Sequence, residues 1–139
     1  MNTGALTTPI SRPMLAWAFL AMAGLFAIGS VAQLFLAGLS TFDSGLYWSD
    51  HVFLGRIVSL FALLLPVLAL VARLSRPFVI LSATAAALYI AQVMLTFVDI
   101  GALAALHALN SLPLIILPAL AGVRIWEILR RQNPGAQAE

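Results

Sequence analysis

Ser49-Asp50-His51-Val52-Phe53-Leu54-Gly55-Arg56 opens a long apolar run and sets a histidine at its edge. From His51 to about Ala72 the one charged side chain is Arg56. A helix needs about 20 mostly apolar residues to cross about 30 Å of hydrocarbon, and this run supplies them. The only other histidine, His107, stands in Leu106-His107-Ala108-Leu109-Asn110, near the start of the last apolar run. Two histidines at corresponding places on two helices are the constellation in this chain that can carry chemistry.

Composition carries the same reading outward. Of 139 residues, 63% are hydrophobic and 9% are charged, with a mean hydropathy of +1.06. A soluble domain has roughly 25% charged residues, so a single integral membrane domain in a lipid bilayer is expected. The absence of cysteine removes disulfides, thiolate zinc sites, c-type haem attachment and cysteine nucleophiles together. The net charge of +2 comes with arginine as every basic residue, and in a membrane chain it reports topology. No Gly-rich phosphate loop, nucleophile elbow or paired catalytic carboxylates occur in the sequence. The aromatics lie in apolar spans and leave no basic stacking surface, so no nucleic-acid partner is expected.

Four spans are predicted, at about 14–39, 51–72, 78–98 and 102–128, with residues 1–12 and 130–139 as disordered tails. Ser30-Val31-Ala32 resembles a signal cleavage site, but the stretch stays apolar through Leu36 and is too long for a signal core. It reads as a retained helix. Residues 40–50 read as a loop whose Tyr47 and Trp48 suit the interfacial belt. The runs lack period-2 alternation, which argues against a barrel. Four helices with short links give an all-α, up-down-up-down transmembrane bundle. Arg12, Arg73, Arg76, Arg124, Arg130 and Arg131 fall on one side, and Asp43, Asp50 and Asp99 on the other. The positive-inside rule then puts both termini in the cytoplasm and the chain in the plasma (inner) membrane, as a multi-pass protein.

The halves of the chain also correspond. Ala32-Gln33-Leu34-Phe35-Leu36 matches Ala91-Gln92-Val93-Met94-Leu95, and each is followed by a histidine and then by intramembrane proline (Pro66; Pro113 and Pro118). A parallel two-helix repeat of this kind would place both histidines at similar depth, facing one space. Helical spacing puts Gly55, Ser59, Ala62 and Pro66 below His51, and Ser111, Leu114, Pro118 and Gly122 below His107. Such small stripes also serve plain helix packing. The prolines predict kinks that widen this half of the bundle.

An ionisable side chain within a span marks a site by default. Neutral imidazole binds metal through one ring nitrogen while the other is held by a hydrogen bond. His51 and His107 alone make a poor structural zinc site, which takes four protein ligands. They do supply the axial pair of a haem b, held between the diagonal second and fourth helices. Gln33, Gln92, Asn110, Ser111 and Asp50 are the candidate supporting groups, Gly55 leaves room beside His51, and Arg56 can meet a propionate. Otherwise Arg56 snorkels outward or pairs with Asp50 or Asp99.

The pattern Gln-x-x-x-Ala-Gly (Gln33 to Gly38), His-x-x-x-Gly (His51, Gly55), Gln92 and Leu-His-x-x-Asn (Leu106, His107, Asn110) resembles a family of small bacterial four-helix membrane proteins of unassigned function. The likeness runs from about Leu15 to Ile128; that family has proline after the last histidine, where this chain has Ala108. The arrangement is also similar to one four-helix half of haem A synthase and to b-type cytochrome bundles. That resemblance implies His51 and His107 as axial ligands. Haem A synthase has a glutamate before its first histidine, and Asp50 stands here instead, so its oxidative catalysis is not carried over.

The expectation is therefore a bis-histidine, haem b-binding membrane protein in electron transfer or haem handling, with a redox partner or membrane complex. A cofactor-free membrane subunit or packing partner is the alternative, followed by a small-molecule or quinone-binding protein. A transporter of this length would need a homo-oligomer to build its cavity.

Overall fold

The computed structural model describes residues 10–98 and 101–132. It consists of α1 (Pro13–Phe42), α2 (Tyr47–Val71), α3 (Arg76–Met94, followed by a 3-10 turn over Leu95–Phe97) and α4 (Gly101–Gln132). No strand occurs among the described residues. All four helices are long and apolar enough to cross a membrane, which makes this a multi-pass membrane protein. Short links make neighbours antiparallel: α1 and α3 each pack against α2 and α4. The helices α2 and α4 therefore stand on one diagonal of the bundle, as the histidine reading requires.

The expected loop over residues 40–50 is corrected to a turn over 43–46. The Leu39 carbonyl accepts from both Asp43 and Ser44 N–H, which closes α1, and Tyr47 N–H already donates to Ser44. Tyr47 to Asp50 then form the first turn of α2, where Asp50 suits the positive end of the helix dipole. His51 accordingly lies more than one turn inside the helix. The tail predicted from residue 130 is also corrected. Helix α4 runs on through Arg130 and Arg131, whose charges favour a helix C-terminus, and the Arg130 guanidinium lies 5.5 Å from the Trp126 ring centre. Residues 133–139 fall outside the description, as do 1–9. Ile10 and Arg12, assigned to the other tail, are anchored: Ile10 packs on the core, and Arg12 Nη1 donates to the Val71 carbonyl at 2.7 Å.

Helix α2 ends on Arg73, whose φ is 55°. This left-handed residue lets Leu74 N–H reach back to the Ala69 carbonyl at 3.0 Å and closes the last turn. Leu74 is buried beneath it. Pro77 in the first turn of α3 costs no hydrogen bond, since those N–H groups lack helical partners anyway.

The core follows helical spacing: Ala16, Phe19, Ala23 and Phe26 on α1, and Val58, Ala62, Leu65 and Ala69 on α2. The buried stripe of α2 is thus turned slightly from the one expected, with Ser59 and Pro66 on its flank. Within a bilayer, fit rather than hydrophobicity holds helices together. Small residues let α1 and α2 close up, so far that a Cβ on Gly29 would lie 2.7 Å from Val58 Cγ2. Aromatic edges fill the other diagonal, Phe19 against Phe78 at 6.2 Å and Phe26 against Tyr89 at 6.0 Å. Helix α2 continues through Pro66, and α4 through Pro113 and Pro118.

Candidate functional site

Toward the end of the bundle away from Arg12 and Arg73, the four helices line a half-open cavity of about 560 Å³. Gln33 and Ser30 line it from α1, His51, Gly55 and Arg56 from α2, Tyr89 and Gln92 from α3, and His107 and Ser111 from α4. The sequence-predicted residues thus meet around one space, with two exceptions. Asn110 stands behind Gln92 instead of in the wall. Asp50 is exposed in the first turn of α2 and is not the partner of the His51 ring.

That partner is a main-chain oxygen. His51 Nδ1 donates to the Gln33 carbonyl at 3.0 Å, and Gln33 Nε2 donates back to the His51 carbonyl at 2.7 Å. In the second half of the chain, His107 Nδ1 donates to the Gln92 carbonyl at 2.9 Å. Asn110 Nδ2 then holds the Gln92 side chain through Oε1 at 2.9 Å and the Leu88 carbonyl at 2.8 Å. A carbonyl can only accept, so each Nδ1 carries the proton. In the neutral form of each ring the nitrogen with the free lone pair is then Nε2, the one a metal would take. The two hairpins repeat one device: a histidine on the later helix bonded to the backbone of a glutamine on the earlier.

The two imidazole centroids are 6.4 Å apart, with ring planes at 60°. Two imidazoles on opposite sides of one metal ion have centroids roughly 6 Å apart, given a bond of about 2 Å and a ring centre about 1 Å behind each nitrogen. No three His, Cys, Asp or Glu side chains gather for a metal among the described residues.

Two residues at the site escape the sequence reading. Trp48 stacks on His51 with centroids 5.0 Å apart and planes at 18°; its place three residues before His51 is the signal, masked by its suitability for the interface. Tyr89 is buried and donates its hydroxyl to the Gly55 carbonyl, one turn below His51. Its signal is a phenol alone in an apolar span, three residues before Gln92. A Cβ on Gly55 would lie 3.4 Å from Gln33 Oε1 and 3.8 Å from the Tyr89 oxygen, ordinary contact distances, so the approach does not depend on glycine there. Arg56 is exposed at the cavity wall. The ion pair among the described residues is Arg124–Glu127, and Asp99 lies outside them.

Residues 33–99 match the model of a family of unknown function (DUF6220). The match takes in Gln33, His51, Gly55, Tyr89 and Gln92 and stops before His107. No curated protein and no solved structure matches the chain.

Proposed function

We propose that this is a b-type haem-binding membrane protein in which His51 and His107 ligate one iron, and that it works in electron transfer or haem handling. The observation that carries the reading is the 6.4 Å separation of two rings whose Nδ1 groups are both committed to backbone carbonyls. Haem held by His51 and His107 would supply one-electron chemistry, which suits electron transfer. Gln33 and Gln92 fix the ligand rings through their carbonyls, and Asn110 braces Gln92. Arg56 serves as the charge-assisted donor to a propionate. Placement in the plasma membrane with both termini cytoplasmic, and a redox partner on the histidine side, belong to the same reading. A quinone hydrogen-bonded to both histidines is disfavoured, since two such bonds and a ring would hold them about 10 Å apart.

The test is colour. Protein expressed with ample haem is red, with a sharp Soret band and resolved bands on reduction, and His51→Ala or His107→Ala removes the low-spin spectrum. One observation favours the second reading, a cofactor-free packing subunit: the same hydrogen bonds also tie α1 to α2 and α3 to α4. Folded, colourless protein that takes up no haem on titration would establish that reading instead.

A further inference from the structure

The opposite end of the bundle has a feature that ligand binding among the histidines does not use. Arg73 occupies a left-handed conformation, φ 55°, at the position after a helix where glycine fits without steric cost. Its side chain is exposed. Two residues earlier, the Val71 carbonyl holds Arg12 through Nη1, so one fork of hydrogen bonds on Arg12 remains for another acceptor. Arg76 begins α3 three residues later and is also exposed. Among the described residues the acid at this end is Glu127, and it already pairs with Arg124 at 3.5 Å. Among the described residues, no carboxylate pairs with Arg12, Arg73 or Arg76.

Interfacial rings stand at the same end of the bundle. Trp17 and Trp126, the aromatics at this end of α1 and α4, meet edge to face at 5.6 Å, and Arg130 lies over Trp126. Indole with one apolar and one wet side belongs at headgroup level. We propose that Arg12, Arg73 and Arg76 form a binding site for the phosphate of an anionic phospholipid. The planar fork of arginine matches phosphate oxygens, and juxtamembrane basic groups attract anionic lipid. Arg73 holds a backbone conformation that glycine would take at lower cost, and its charge completes this site.

Thermal unfolding of the purified protein in a neutral detergent tests the site, with phosphatidylglycerol, phosphatidylcholine or inorganic phosphate added at equal concentration. Phosphatidylglycerol raises the midpoint by a few degrees, as a ligand of the folded state does, and the other two leave it unchanged. Arg76→Gln reduces that shift. Arg73→Gly is the decisive variant: it relieves the backbone, so its midpoint in detergent alone is at or above wild type, while its response to phosphatidylglycerol falls by half or more. A full response in both variants, or an equal response to phosphatidylcholine, overturns the site. An equal shift with inorganic phosphate overturns lipid as its ligand.

Discussion

Gln33 and His51 hold each other by exchange, side chain to backbone in both directions, at 2.7 and 3.0 Å. Substitution at 33 breaks one half of the exchange and spares the other, because the acceptor for the His51 ring is the carbonyl of residue 33. Gln33→Ala should therefore keep the low-spin haem spectrum while weakening haem binding about 10–100-fold, the range for groups that support a metal ligand. Haem titration of the purified variant measures it; affinity equal to wild type would detach Gln33 from the site.

The close approach of α1 and α2 gives a second expectation. Gly29→Ala drives a methyl group into Val58 and should destabilise the fold by about 1–3 kcal/mol, as overpacking does. Val58→Ala on the same chain should recover most of that loss. A double-mutant cycle in detergent unfolding reads the coupling, and purely additive effects would contradict the contact.

Trp48 reports on haem without any change to the ligands. With Trp17 and Trp126 replaced by Phe, Trp48 is the remaining tryptophan, 5.0 Å from the His51 ring. Haem uptake should quench most of its emission at one equivalent. In the complementary variant, Trp48→Phe, the remaining indoles at the far end of the bundle should lose much less. Equal quenching in both would place haem elsewhere on the protein.

Topology follows from the arginines. Reporters fused to either terminus should read as cytoplasmic, and one inserted in the turn 43–46 should read as external. Termini on opposite faces would end the four-span topology.

The helices were legible because their signal is bulk hydropathy over long runs, which nothing local overrides. Their ends were less so. Tyr47 to Asp50 read as a loop because polarity usually marks one, yet an acid and interfacial rings are also what the first turn of a membrane helix tolerates. Arg130 and Arg131 read as a tail for the same reason, although basic residues prolong a helix at its C-terminus. At the site, His51 and His107 stand out because ionisable groups in a span are rare. What holds them could not be read, since the acceptors are carbonyls common to every residue. Asp50 stood among the candidate supporting groups on chemistry alone, beside Gln33, Gln92, Asn110 and Ser111. Tyr89 was hidden because its role depends on which helix lies opposite, a fact of packing with no trace in its neighbours.

That the ring-holding acceptors are main-chain oxygens relocates what evolution can damage. No point substitution deletes the carbonyl of residue 33 or residue 92, so those positions can drift in chemistry and the ring tautomers persist. What does abolish them is a change of phase. A residue inserted or lost between Gln33 and His51, or between Gln92 and His107, turns one helix by about 100° against its partner and carries the oxygen away from the ring. The turn 43–46 is then a metering device, and its length matters more than its composition.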